Sequence, residues 1–278
     1  MAAAFQTSKN ELVVFGGYAA ATSSLFGDTW TWQSGCWAEV ATSTGPSPRD
    51  GMALAYFPVN GTLIGYGGRT GVTVDTDSNE TWIWDGYMWR PRPSSLPVLH
   101  APLMSYDGHS GLVLYGIGGN GTSETWIWNG ISWNKEPSSP PARTQAAMAL
   151  DPNSNRVLLF GGLRLQDMTL VSDTWAWNGS QWSLLPTAHS PAARLGAAMT
   201  SFATKNEAVL IGGSERGTII GDVWEWNGAD WSQSAHFLPR VYGAAVDAGS
   251  EIIYFGGTDS KGEKNDVFAW DGGSWSQS

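Results

Sequence analysis

The chain has 278 residues, 17 of them Trp, a single Cys and a formal net charge of −10. That acidic balance argues against nucleic acid and against an anionic membrane surface, since both call for a basic face. One Cys closes no internal disulfide, no apolar run approaches the roughly 18 residues of a membrane span, and Met1-Ala-Ala-Ala-Phe5 has none of the features of a signal peptide.

Taken in chain order, an acid followed by Trp-x-Trp-x4-Trp first appears as Asp28-Thr29-Trp30-Thr31-Trp32 and closes on Trp37. It recurs at Trp82/Trp84/Trp89, Trp126/Trp128/Trp133, Trp175/Trp177/Trp182, Trp224/Trp226/Trp231 and Phe268/Trp270/Trp275. Successive closing tryptophans are 44–52 residues apart. Within each unit four segments follow one another. In the fifth they are the run from Arg194 to Phe202, the run from Glu207 to Gly213, then Asp222 to Trp226, and Asp230 to Gln233. Short runs of β-branched, aromatic and small residues bounded by Gly, Asn and Pro are strand signals. The Asn-Gly and Asp-Gly pairs at 85–86, 129–130, 178–179, 227–228 and 271–272 supply the positive φ that tight hairpins need. No stretch has helical periodicity with caps. Four antiparallel strands repeated every 44–52 residues predict an all-β, six-bladed β-propeller in one domain. The blades fall near 1–43, 44–93, 94–139, 140–189, 190–238 and 239–278.

Each unit runs from an Arg-led strand through an apolar strand ending in Gly-Gly to an acid-led aromatic strand and a strand opened by Trp. The double glycines are Gly16-Gly17, Gly67-Gly68, Gly118-Gly119, Gly161-Gly162, Gly212-Gly213 and Gly256-Gly257. This order resembles the kelch repeat over essentially the whole chain. There are departures: Trp fills the second aromatic slot where Tyr is usual, the last hairpin is shorter, and Leu99 replaces the leading Arg of unit three. Unit one begins too late to hold that Arg, so a clipped first strand is expected there. A monomer, or a piece of a longer chain closed by blade packing alone, is the matching expectation. The regular aromatics predict rings packed between blades; a sugar-binding Trp would stand at one or two irregular loop positions.

Strand alternation places the link into each first strand and the segment after Gly-Gly on one rim. The post-Gly-Gly segments run from four to eleven residues and read as variable loops, where binding concentrates on a rigid scaffold. Arg49, Arg143, Arg194 and Arg240 open first strands at this rim, and Arg69, Arg164 and Arg216 lie in its loops. Together they are candidate ligands for an anionic small molecule or an acidic peptide or protein, because Arg grips carboxylates in a bidentate plane. The kelch resemblance implies the same, since related domains capture acidic motifs with arginines at these positions. The competing reading pairs the strand-leading arginines with Asp28, Glu80, Glu124, Asp173, Asp222 and Asp266, which open third strands at the same rim.

His100, with Asp50 and Tyr242, is the candidate for general acid–base work at this rim, where His189 and His236 also map. An enzyme such as a sugar-acid isomerase resembling kelch-type mutarotases, or a cyclase, is therefore a second reading beside the binding module, and a structural spacer is a third. Cys36 is on the far rim, away from any copper chemistry. Asp75, Asp77 and Asn79 have calcium-loop spacing, but Glu80 takes the place of the required Gly, so a solvated loop is the reading there. No cofactor or metal is expected. The profile, rich in Trp, Gly, Ser and Thr, matches an exported bacterial domain.

Overall fold

The computed structural model describes residues 1–71, 76–109 and 111–277. Among these there is no helix, and the strands assemble into six four-stranded antiparallel sheets with smaller ribbons beside them. In every four-stranded sheet the strands lie in sequence order, each paired with the next. The chain divides into two compact units, the first holding Met1–Tyr106 with Ser110–Glu136 and the second Asp107–His109 with Pro137–Ser278.

Three sheets make up the first unit. Sheet one is Ala2–Gln6, Glu11–Ala19, Ser24–Gln33 and Cys36–Glu39. Sheet two is Ala53–Phe57, Thr62–Tyr66, Thr81–Trp84 and Trp89–Arg92. Sheet three is His100–Tyr106, Leu112–Ile117, Ser123–Trp128 and Trp133–Lys135. The second unit repeats the plan. Sheet four is Ala147–Asp151, Arg156–Phe160, Thr174–Trp177 and Trp182–Leu185. Sheet five is Ala198–Phe202, Glu207–Glu215, Thr218–Trp226 and Trp231–His236. Sheet six is Ala244–Asp247, Ile252–Phe255, Val267–Trp270 and Trp275–Gln277.

The expectation of a clipped opening strand is corrected. Ala2–Gln6 has five residues, as do Ala53–Phe57 and Ala198–Phe202. In sheets two and five the leading Arg lies upstream of the strand, because the chain first passes through a left-handed residue. That residue is Gly51 (φ 65), Gln145 (φ 56), Gly196 (φ 64) or Tyr242 (φ 62) in sheets two, four, five and six, and in sheet three Ala101 (φ 47) takes the same slot within His100–Tyr106.

Sheets two to six close the hairpin between third and fourth strands with a four-residue turn. The Asx Oδ1 accepts two backbone N–H groups, as Asp85 does from Tyr87 and Met88 and Asn178 from Ser180 and Gln181. The following Gly has φ between 91° and 96° in all five. Sheet one instead uses Ser34 (φ 52) and Gly35 (φ 81), the left-handed pair of a two-residue hairpin.

At the opposite end the post-Gly-Gly segments of sheets one, four, five and six are more ordered than the expected loops. In sheets one and five the register shifts across Gly16 and Gly212 and pairing then resumes, Gly17↔Phe26 to Ala19↔Ser24 and Gly213↔Ile220 to Glu215↔Thr218. A bulge of this kind bends and twists a strand without ending it. Leu163–Arg164 with Thr169–Leu170, and Thr258–Asp259 with Gly262–Glu263, form shorter ribbons in sheets four and six.

The tryptophans fill the space between sheets of a unit, as their regularity predicts. The second Trp of each pair is buried, and it meets the closing Trp of its own sheet with ring centroids 5.4–5.8 Å apart in sheets two to six. The closing Trp also reaches back to the preceding sheet, Trp89 to Phe15 at 5.3 Å and Trp231 to Phe160 at 5.5 Å. At ~25 cal/mol per Å² and roughly 150–250 Å² per ring, each contributes about 4–6 kcal/mol of gross burial. Three closing tryptophans also place their N–H: Trp89 donates to Thr29 Oγ1, Trp133 to Thr81 and Trp231 to Thr174, each in the preceding sheet.

Candidate functional site

The site begins with the double glycine. An added Cβ on Gly16 would stand 2.5 Å from the carbonyl oxygen of Arg49, and one on Gly212 would stand 2.5 Å from that of Arg240. Only Gly lets these backbones approach so closely. The second glycine then donates its N–H to the same carbonyl, Gly17 to Arg49, Gly162 to Arg194 and Gly213 to Arg240, at 2.8–2.9 Å. The leading Arg of one sheet is thereby fastened to the sheet before it.

Its guanidinium turns the other way, into its own sheet. Arg194 donates from Nη1 to the Gly212 carbonyl at 2.9 Å and grips both oxygens of Asp222 at 2.5 and 2.8 Å. Arg143 does the same with Gly161 and Asp173, and Arg49 with Gly67 and one oxygen of Glu80. The half-buried first Trp of each third strand adds an indole N–H to the acid: Trp82 to Glu80, Trp175 to Asp173, Trp224 to Asp222. Burial lifts the Asp173 and Asp222 carboxyls, and the Arg hydrogen bonds and charge outweigh it, so both titrate below the usual carboxylate range. Glu80 shifts the same way for the same reasons.

Sheet six carries a weaker version. Phe268 fills the first aromatic slot and has no N–H to give. Asp266 keeps one contact with Arg240 at 2.7 Å, while its Oδ1 and the Arg240 Nε are buried without a partner among the described residues.

The four strand-leading arginines therefore lie buried, at most 4 % exposed, with their guanidiniums bound within their own unit. The loop arginines are placed differently. Arg69 forms a bidentate pair with Asp50 at 2.8 and 3.1 Å, keeps 41 % of its side chain exposed and lies 5.7 Å from the Tyr18 ring. Arg164 pairs with Asp167 on its ribbon, 33 % exposed. Arg216 sits exposed at the tip of the sheet-five ribbon with φ 48 and no ion pair among the described residues.

His100 opens sheet three and its Nδ1 is paired with Asp77 Oδ2. Asp77 bridges in turn to Arg69 through the backbone, so Asp50, Arg69, Asp77 and His100 make a continuous polar chain in the first unit. Tyr242 lies in the second unit, half exposed. Of the calcium candidates, Asp75 lies outside the described residues, Asp77 faces His100, and Asn79 donates to the Leu96 carbonyl at 3.1 Å. Among the described residues no three His, Cys, Asp or Glu side chains cluster. Cys36 is exposed and free, His189 is tied to Asp230 at 2.7 Å and His236 lies 3.5 Å from Gln233.

Sequence reading missed Asp77 as the orienter of His100, and Gln145 and Tyr242 as residues joined through Gly196. Setting the repeats side by side two residues after the leading position would have shown Gly, Ala, Gln, Gly and Tyr in one slot. No protein-family model matches this chain, and a comparison with curated proteins finds no match.

Proposed function

We propose that the six sheets are blades of a kelch-like six-bladed propeller that works as a binding module. Its ligand is anionic or polar, an acidic peptide, a sugar acid or a protein partner bearing one, held at the Gly-Gly end. The observation that carries this is an asymmetry between the two ends of the sheets. Turns at one end of sheets two to six are uniform four-residue loops, whereas segments of differing length leave the other, bearing the part-exposed Arg69 and Arg164 and the exposed Arg216. Rigid sheets carrying variable excursions are the usual setting for recognition. The strand-leading arginines serve as clamps in this reading, and the loop arginines as ligand contacts. Asp50 and Asp167 hold two of those guanidiniums in plane.

Thermal shift and calorimetry with a hexaglutamate peptide, glucuronate and N-acetylneuraminate test the proposal. Salt-sensitive binding that Arg69→Ala or Arg216→Ala weakens at least fivefold is the expected result. Binding of none of the three, or binding by both variants undiminished from the parent, removes it.

A second reading rests on His100. An imidazole whose Nδ1 is fixed by a carboxylate presents Nε2 as a proton acceptor, which suits a sugar-acid isomerase, a mutarotase-like enzyme or a cyclase. Turnover of a sugar acid that disappears in His100→Gln and in Asp77→Asn would favour catalysis over simple capture.

A further inference from the structure

Five sheets place one residue in the left-handed region at or just before the start of the first strand, and their choices differ. Gly51 and Gly196 take the conformation without steric cost; Ala101, Gln145 and Tyr242 do not. A ring-bearing side chain at φ 62 is an outlier of the kind that surrounding structure must enforce and that clusters at functional sites.

In the second unit these residues are laced together. The Gly196 N–H donates to the Gln145 carbonyl and the Tyr242 N–H to the Gly196 carbonyl, both at 2.8 Å. The Tyr242 ring lies over Gly196 so closely that an added Cβ there would stand 2.6 Å from Cε1. Its hydroxyl lies near the Gln145 side chain. Gln145 is itself exposed, and 52 % of Tyr242 remains open. The bare glycine is thus the floor on which the ring rests, and the amide stands at the ring's edge.

We infer that Tyr242 and Gln145 form a stacking shelf for the face of a neutral pyranose ring. An aromatic face attracts the polarised C–H groups of a sugar face, and an amide offers both a donor and an acceptor to hydroxyls at the sugar's edge. Nothing in the trio of Gln145, Gly196 and Tyr242 carries charge, so the ligand needs none. The shelf is independent of the anion contacts proposed above, because no arginine takes part.

The trade between fold and ligand makes the test. The full chain is titrated by calorimetry and saturation-transfer NMR with neutral oligosaccharides of glucose, mannose, galactose and xylose. At least one binds, and Tyr242→Gly weakens it tenfold or more while the melting temperature stays level or rises. Tyr242→Phe keeps the stacking face and loses less than fivefold; Arg69→Ala and Arg216→Ala bind the sugar as the parent does, even if anion binding has gone. Failure of every oligosaccharide to bind, or undiminished binding by Tyr242→Gly, overturns the shelf.

Discussion

Arg194 and Arg216 are chemically the same residue with opposite fates, and stability should separate them. Removing the buried Arg194 side chain leaves Asp222 and the Gly212 carbonyl without their cation, and breaking a buried pair of this kind costs about 3–5 kcal/mol. Arg216→Ala, on an exposed tip, should stay within about 0.5 kcal/mol of the parent. Arg240→Ala should fall between them, since its clamp already leaves Nε and the Asp266 Oδ1 unpartnered among the described residues. Urea denaturation of the three variants gives the ranking; an Arg194→Ala protein as stable as Arg216→Ala would refute the clamp. Acid gives the same information through protons. Glu80, Asp173 and Asp222 have folded pKa values below their unfolded ones, so their contribution is complete above about pH 4 and is lost as pH falls through the folded values. Asp247 has the opposite sign, because burial raises its carboxyl and acid relieves it. The urea midpoint should therefore drop as the pH falls below about 4, and drop less in Asp222→Asn, whose pH 7 stability is already reduced. The recurrence of Arg and acid is legible in the sequence. The direction a guanidinium faces is not, because it depends on which carbonyls the Gly-Gly bulge brings within reach.

The element that joins sheet to sheet is the closing Trp, and its N–H shows how far one residue can tune a junction. Thr29, Thr81 and Thr174 accept from Trp89, Trp133 and Trp231 of the following sheet. Sheet five has Val223 in that slot, and the Trp275 N–H of sheet six is buried without a partner among the described residues. Val223 is fully buried and nearly isosteric with Thr. Val223→Thr should supply the missing acceptor and stabilise by about 1 kcal/mol, whereas Thr174→Val should orphan the Trp231 N–H and cost about 1–3 kcal/mol. Melting curves that move the same way in both variants would disprove this junction. Strands, turns and aromatic slots were all readable from periodicity and Asx-Gly pairs. The ribbons beyond Gly-Gly were not, because a bulge interrupts the alternation from which a strand is recognised, and Tyr18-Ala19 or Ser214-Glu215 alone carries too little pattern to restore it.

Over the whole molecule, the propeller proposal says that six sheets of one plan bend round into a closed ring rather than run on as an open stack. Sequence repetition alone does not decide between these, since each sheet needs only its neighbours to bury its faces. The dense aromatic layers favour closure physically: an open stack would leave two terminal sheets with a bare apolar face, at ~25 cal/mol for each Å² left in water. Scattering in solution separates the alternatives. A compact chain of 278 residues has a radius of gyration of roughly 19 Å, and a closed ring of six blades should measure close to it, with a pair-distance distribution that has one symmetric maximum. An open stack of the same sheets gives a larger radius and a long tail, and a measured value above about 25 Å at low protein concentration would rule out closure. Closure also predicts shared cooperativity. Gly16→Ala in the first unit and Gly212→Ala in the second each drive a Cβ into a neighbouring carbonyl at 2.5 Å, so in a ring either should lower one common unfolding transition. Two transitions, each responding to only one of the substitutions, would mean that the sheets fold as separate arrays.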